Sequence, residues 1–283
     1  MARGSESGNG EKGALYIVST PIGNMGDMSF RAVEVLSSAA LVVAEDTRHS
    51  RRLLDHYQIT TRCAPYHEHN EARETPRLVK RLLDGEMIAL ITDAGTPLLS
   101  DPGGRLVAAA IDAGIDVVPI PGASALLAAL VGSGLAGDQF TFFGFLPRKG
   151  KDRLRVLTEI MRMHHTAIIY EAPPRVGATL SEIAEAGAAA RTAVVARELT
   201  KKFEEYARGT VAELAQRFSD TPARGEVVIL ISGAPTEDLS EEFLSDEAKR
   251  LREAGTSPRE IVDWLISRHG APRNLAYKLA HES

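Results

Sequence analysis

The sequence predicts an α/β protein made of two αβ units in tandem and a small helical appendage, and three observations carry that prediction. Short β-branched runs alternate with amphipathic stretches from residue 15 onward, a Gly-rich break at 132–138 interrupts them, and strand-like runs stop after Ala234-Pro235. Repeated βα alternation buries one stripe of each helix against a sheet, so the first unit is expected to hold a parallel sheet with helices on both faces. Composition agrees, since 283 residues with 44% hydrophobic and 25% charged side chains are ordinary for a globular chain. A chain of this length buries enough core for about two domains.

In the first unit, residues 15–19 read as a strand and 29–38 as a helix with Ser29 as its N-cap. Residues 41–44 form the next strand, followed by a basic helix at 47–57, a short strand at 62–67 and a helix at 75–83. An apolar strand at 87–92, a helix at 104–113 and a strand at 115–120 complete the unit. The second unit has strands at 140–145, 166–171, 191–198, 203–208 and 226–232, with helices at 152–164, 175–186 and 211–218. Three helices follow, at 239–253, 258–269 and 271–281, the second capped by Ser257 with Pro258 in its first turn and Glu260 three residues on. The expected bounds are a disordered tail at 1–12, αβ domains at 13–132 and 138–234 joined by a hinge, and a helical domain at 237–283.

Several function classes are excluded early. The lone cysteine, Cys63, has no internal disulfide partner, which favours a reducing, cytoplasmic setting. The longest apolar run, at 123–131, is about half the ~18 residues that span a bilayer, and residues 1–12 lack the apolar core of a signal peptide. The net charge of −5, taken alone, favours a small-molecule enzyme over a nucleic-acid binder. Gly8-x-Gly10-x-x-Gly13 has the spacing of a dinucleotide fingerprint but precedes the first strand, where its glycines cannot present amides to a pyrophosphate. The run from Gly144 to Lys151 is one residue too long for a phosphate loop and continues with Asp152 where Ser or Thr is needed.

Three loops of unusual composition follow strands of the first unit. They are Ser19-Thr20-Pro21-Ile22-Gly23-Asn24, the stretch from Asp93 to Gly103, and Pro119-Ile120-Pro121-Gly122-Ala123-Ser124-Ala125. In an open α/β sheet, loops at the carboxyl ends of strands line the ligand crevice. Small residues there let a ligand approach the backbone, and prolines hold the loops rigid. A tight βα turn explains any one of them. Three on one edge, one with Asp93 as a partner for a ribose or an ammonium, favour a ligand site.

These loops stand in series with Glu45-Asp46-Thr47-Arg48, His67-Glu68-His69-Asn70, Phe143-Gly144-Phe145-Leu146-Pro147, Tyr170-Glu171-Ala172-Pro173-Pro174-Arg175 and Arg197-Glu198-Leu199-Thr200-Lys201. In that order they resemble the tetrapyrrole-methylase-like (class III) S-adenosylmethionine-dependent methyltransferases, and within them the branch that modifies small-subunit rRNA. The resemblance runs over residues 13–232. It implies two αβ domains of the tetrapyrrole methylase type with S-adenosylmethionine in the cleft between them. It further implies transfer to the ribose 2′-hydroxyl of a cytidine in the decoding region, with small-subunit rRNA or the assembled 30S subunit as substrate, usually by a homodimer. Relatives that methylate precorrins tend to carry Gly-Asp-Pro where this chain has Asp93-Ala94-Gly95-Thr96-Pro97, which favours the RNA branch. The implied cofactor wall is Pro21, Asp93, Ala94, Gly95, Thr96, Pro97, Leu98, Ser100, Gly122, Ala123, Ser124, Ala125, Tyr170, Glu171 and Leu199. Ser124 and its neighbouring amides open a helix and are expected near the methionine part, with second-domain residues framing the adenine.

Methyl transfer is an in-line displacement, so the protein holds the acceptor oxygen about 3 Å from the methyl carbon and can supply a base for its proton; no metal is required. His67-Glu68-His69-Asn70 is the candidate for that work. In an extended segment His67 and His69 share a face, a metal-ligand spacing with no third ligand following. A solvated polar loop explains the string as well; in the functional reading His67 or Glu68 takes the proton. Glu45 and Asp46 lie at the edge of the cofactor loops, where they orient substrate or Asp46 simply caps a helix, and Arg48 stands beside them as a further catalytic candidate. Arg48, Arg51 and Arg52 form one basic cluster; Arg148, Lys149, Lys151, Arg153 and Arg155 form another around Asp152; Lys201-Lys202 adds a pair. Solvated faces account for such runs, whereas a polyanionic substrate accounts for their presence in a net acidic chain. In the C-terminal helices acids outnumber bases, so RNA docking there competes with packing or a dimer contact. Two other readings stand beside the main one: a tetrapyrrole-type small-molecule methylase of the same fold, and a non-catalytic ribosome-binding protein that needs no cofactor.

Overall fold

The structure, a computed structural model, describes residues 13–235 and 241–281. The expected tail at 1–12, with Gly8 and Gly10, and the appendage bounds at 237 and 239 lie outside the described residues. Residues 13–161 and 165–232 belong to one compact unit, and 162–164, 233–235 and 241–281 to a second.

The elements of the first half are β1 (Ala14–Val18), α1 (Phe30–Ser38), β2 (Leu41–Ala44), α2 (Thr47–His56), β3 (Cys63–Pro65), α3 (Glu71–Leu83), β4 (Ile88–Leu90), α4 (Gly104–Asp112), β5 (Asp116–Ile120) and α5 (Ala125–Ser133). Their sheet has the order β3-β2-β4-β1-β5 and every pair is parallel. Alternation along the strands sorts the core into two layers. Leu15, Leu41, Val43 and Leu90 pack with Leu78, Leu82 and Leu106 on one face, while Val18, Val42, Ala44 and Ala89 pack with Leu36, Leu54 and Ile59 on the other.

Two local expectations need correction. The strand at 62–67 is only Cys63–Pro65, and the helix expected at 75–83 starts at Glu71. The reason lies in the turn at 68–70. Asn70 accepts the His67 N–H through its side chain at 2.9 Å and donates to the Pro65 carbonyl at 3.0 Å, and the Glu71 amide bonds to the His67 carbonyl at 3.0 Å. The helix is thereby nucleated ahead of Pro76, which it carries in its interior at the loss of one backbone bond.

The second half comprises β6 (Phe140–Phe145), α6 (Lys151–Arg162), β7 (Thr166–Glu171), α7 (Val176–Ile183), β8 (Thr192–Arg197), β9 (Glu205–Thr210), α8 (Val211–Asp220) and β10 (Val227–Ile231). Its sheet, ordered β6-β7-β10-β8-β9, is mixed: β6 and β7 are parallel, whereas β10 runs antiparallel to both β7 and β8, and β8 to β9. Helix α5 is apolar nearly all round and buries Leu126, Ala129 and Leu130 against Ile168, Val194, Ala196, Val228 and Leu230 of this sheet. It therefore ties the two halves together.

The second compact unit holds α9 (Glu241–Glu253), α10 (Pro258–His269) and α11 (Arg273–His281), with a core of Leu244, Ile261, Leu265, Ala276 and Leu279. Ser257 and Glu260 form the expected capping box on α10. Among the described residues no helix is long and apolar enough to cross a membrane.

A cleft between the two sheets

The loops after β1, β4 and β5 leave the same edge of the parallel sheet and are bonded to one another. Thr20 and Gly95 exchange two backbone hydrogen bonds, at 2.9 and 3.0 Å. Thr20 Oγ1 donates to the Thr92 carbonyl at 3.1 Å, and Thr96 Oγ1 to the Ala123 carbonyl at 3.1 Å. Gly122 fits because a Cβ there would sit 2.9 Å from the Ser19 side chain. Leu98 and Ser100 hold φ of 76° and 71°, in the left-handed region that costs a non-glycine residue about 1–3 kcal/mol. Such strain is sustained only where the surroundings fix the loop. Here Ser100 meets β6 at Gly144, where a Cβ would lie 2.9 Å from the Ser100 hydroxyl.

Between these loops and the mixed sheet lies a cavity of about 500 Å³. One wall is Ile22, Glu45, Asp93, Ala94, Gly95, Thr96, Leu99, Ser100, Asp101, Ser124 and Ala125; the other is Phe145, Tyr170, Glu171, Ala172, Pro173, Leu199, Gly225, Glu226, Val227 and Val228. Ten residues named from the sequence for the cofactor wall are thus brought together: Asp93, Ala94, Gly95, Thr96, Ser100, Ser124, Ala125, Tyr170, Glu171 and Leu199. Pro21, Pro97, Leu98, Gly122 and Ala123 belong to the same loops without lining the cavity. Ser124 caps α5 by accepting from the Leu127 amide at 3.5 Å, so α5 opens at the cavity wall with Ser124 and Ala125.

The walls differ in chemistry. Glu45, Asp93 and Asp101 bring three carboxylates to the first wall. Burial raises the pKa of Glu45, Asp93 raises it further, and His67 pulls it back. Burial also pushes Asp101 up to about 6, opposed by the nearby Thr92 side chain and reinforced by Glu45 and Asp93. On the second wall the Tyr170 ring packs edge-on against Phe142 at 4.8 Å and Phe145 at 5.7 Å, and its hydroxyl is raised by burial. Glu171 lines the cavity, yet its carboxylate has no exposed surface. It accepts from the Ala172 amide at 2.8 Å, from Thr179 Oγ1 at 2.7 Å and from Arg175 Nε at 3.3 Å, so it braces the wall from behind.

The substrate-side candidates stand apart from the cavity wall. Asp46 caps α2, accepting from the Arg48 amide at 2.8 Å and the His49 amide at 3.4 Å, while its own amide donates to Asp93 Oδ1 at 3.2 Å. Arg48 pairs with Asp46 at 3.4 Å and is 92% exposed. The expected extended segment at 67–69 is a turn at 68–70, although the His67 and His69 rings still lie 5.9 Å apart. Asn70 is committed to holding that turn. Glu68 is exposed beside it, and both Glu68 and His67 act electrostatically on Glu45. His67 Nδ1 is buried and makes no hydrogen bond among the described residues.

The basic clusters divide. Arg153 is not a surface cation: it is buried and donates to Glu182 at 2.7 Å, Thr179 at 2.9 Å and the Pro147 carbonyl at 3.0 Å. Lys201 is spent on Glu198 at 3.1 Å and Glu226 at 3.0 Å. Arg48, Arg51, Arg52, Arg148, Lys149, Lys151, Arg155 and Lys202 remain exposed. Among the described residues no His/Cys/Asp/Glu group has the arrangement of a metal site.

The sequence reading missed Glu45 and Asp101 as cavity residues, and with them Phe145 and the stretch from Gly225 to Val228. Asp101 was legible as the acid of a Ser-Asp-Pro-Gly turn in the longest loop. Gly225 to Val228 gave no signal, because they read as the entry to an apolar strand.

Comparison with known proteins gives the family and the fold. The family described as Tetrapyrrole (Corrin/Porphyrin) Methylases matches residues 14–215. The chain is 46% identical over 273 residues to Ribosomal RNA small subunit methyltransferase I of Synechocystis sp., covering 95% of this chain and 98% of that protein. It is 42% identical to the protein of the same name from Bacillus subtilis, covering 98% and 97%. Among solved structures, the uroporphyrin-III C-methyl transferase of Thermus thermophilus complexed with S-adenosyl homocysteine superposes with a TM-score of 0.57 at 17% identity, covering 78% of this chain and 97% of that one, a likeness of fold.

Proposed function

We propose, for a chain that belongs to the tetrapyrrole methylase family and within it to the ribosomal RNA small subunit methyltransferase I proteins, that it methylates the ribose 2′-hydroxyl of a cytidine in small-subunit rRNA with S-adenosylmethionine as donor. The observation that carries this reading is the cavity itself. Its volume of about 500 Å³ and its one polar and one apolar wall suit an amphipathic, nucleoside-sized ligand. Asp93 would take the ribose or ammonium group, the first turn of α5 with Ser124 the carboxylate, and Leu199, Val228 and Tyr170 the adenine. When bound, S-adenosylmethionine supplies a methyl group activated by a sulfonium.

The protein's own share is placement, exclusion of water and proton removal. Phe145, Tyr170 and Ser100, which line the cavity, are assigned to keep water from the reacting groups. His67 is the group we assign to the 2′-hydroxyl proton: its Nδ1 makes no hydrogen bond among the described residues, and it acts electrostatically on Glu45, which lines the cavity. Asn70 holds the His67 backbone in place, and exposed Glu68 and Arg48 are assigned to orient the substrate. The exposed cations of α2, of the 148–155 stretch and Lys202 meet the phosphates, so activity on RNA falls steeply with salt. Leu127 and Val131, 51% and 83% exposed on α5, give an apolar face that supports a homodimer. The reaction and the single free cysteine fit a cytoplasmic protein.

Tritium transfer from labelled S-adenosylmethionine tests the reading. Label enters assembled small subunits or their rRNA and leaves tetrapyrroles unmodified; label in a tetrapyrrole moves the protein to the small-molecule branch. His67→Ala lowers kcat by about 10²-fold or more while cofactor affinity stays within about twofold. Equal losses in both quantities remove His67 from the proton-transfer role.

A further inference from the structure

The loop between α8 and β10 borders two cavities. Gly225 and Glu226 belong to the cleft wall, whereas Thr221, Pro222, Ala223 and Arg224 line a second cavity of about 500 Å³. Its other walls are Arg197 on β8, Glu205 on β9, and Arg217 and Phe218 on α8. Arg197 and Glu205 are cross-strand neighbours, so the strand register sets their placement. Each oxygen of the Glu205 carboxylate holds one guanidinium: Oε2 accepts from Arg197 Nε and Oε1 from Arg217 Nη2. Arg217 also lies over the Phe218 ring, 5.2 Å from its centroid. Burial opposes ionisation of Glu205, but its bonds to Arg197 and Arg217 hold it below the ordinary carboxylate range.

Three guanidiniums against one carboxylate leave this cavity two positive charges in excess. Each guanidinium carries five N–H donors, and Glu205 occupies only some of them. The shared carboxylate fixes Arg197 and Arg217 in advance, which reduces the ordering cost of binding an anion. Arg224 is exposed and has no ion pair among the described residues. Phe218, Pro222 and Ala223 form an apolar floor that lowers the local dielectric and strengthens these charges. Planar forks aimed into one recess match a tetrahedral oxyanion better than a diffuse cationic face does.

We propose that this cavity is a phosphodiester subsite, holding a backbone phosphate of the RNA strand whose ribose enters the cleft. The assignment rests on the RNA reading above. Arg224 and Gly225 are adjacent residues, about 3.8 Å apart at Cα, and they border different cavities. A strand whose ribose enters the cleft therefore passes the second cavity within a few nucleotides. Arg217 and Arg224 contact the phosphate, and Arg197 and Glu205 position Arg217.

Steady-state methylation of small subunits by the full chain tests this, with Arg224→Glu, Arg224→Lys and, as a charge-matched control on exposed α1, Arg31→Glu. Arg224→Glu is expected to raise KM for subunits roughly tenfold and to reduce the log–log salt slope by about one. In that variant kcat and the calorimetric Kd for S-adenosylmethionine stay unchanged, Arg224→Lys recovers most of the loss, and Arg31→Glu behaves as wild type. A KM for Arg224→Glu within about twofold of an active wild type overturns the subsite, as does an equal rise in Arg31→Glu. Absence of transfer by the wild type itself removes the RNA reading, and the subsite with it.

Discussion

The two walls of the cleft are built by different structural means. In the parallel sheet all strands point the same way, so the loops after β1, β4 and β5 collect at one edge with their carboxylates, hydroxyls and amides. In the mixed sheet β10 opposes both of its neighbours, and the register pairs Val227 with Glu171 on one side and with Arg197 on the other. The start of β10 therefore meets the ends of β7 and β8, and the wall is built from Tyr170, Leu199, Val227 and Val228. Polar groups are concentrated on the first wall and apolar ones on the second, whose charged groups are turned to structural work: Glu171 is sealed in and Glu226 is paired with Lys201.

Removing a bracing group should break the second wall while leaving the carboxylates of the first wall in place. Glu171→Ala leaves Arg175 and Thr179 without their buried partner and is expected to cost about 3–5 kcal/mol of stability, read by urea denaturation. The opposite signature belongs to the first wall. Asp93→Ala should weaken S-adenosylmethionine about 10–100-fold by calorimetry with a much smaller change in stability. If the two variants exchange signatures, the division of labour between the walls is wrong.

Asp101 sharpens the comparison through pH. Its folded pKa, about 6, exceeds its ordinary value of 3.8. Between those values the folded protein keeps a proton that the unfolded chain has released, so stability falls as pH rises through that window. The penalty is complete above pH about 6, and Asp101→Asn should stabilise the protein there, with the gain shrinking as pH drops towards about 4. Denaturation of both proteins across that range measures it; a gain independent of pH would assign the effect to packing. The smallest effect is expected at Phe145, 59% exposed at the cleft. Phe145→Ala should weaken ligand binding by a few-fold and leave stability within about 0.5 kcal/mol.

How much of this was legible follows from where the signals lie. Strand-end loops such as Asp93 to Gly103 advertise themselves by Pro, Gly and Asp in an otherwise apolar alternation, and the polar wall could be read from them. Strand direction leaves no such trace, because an apolar run like Val227–Ile231 reads the same in a parallel or an antiparallel sheet, and Gly225 to Val228 were invisible for that reason. Arg153 shows a second limit. It stands among exposed cations in the sequence, and only its tertiary partners Glu182 and Thr179 separate it from them. Asp46 was open between a cap and a substrate contact, and the amides of Arg48 and His49 show it capping α2.

Nucleoside mass spectrometry of small-subunit rRNA after reaction with the wild-type chain tests the central claim most directly. The account predicts 2′-O-methylcytidine at about one per subunit, dependent on S-adenosylmethionine and reduced in Asp93→Ala in step with its weaker cofactor binding. A base-methylated nucleoside, or rRNA left unmodified by a chain that binds the cofactor, would contradict it.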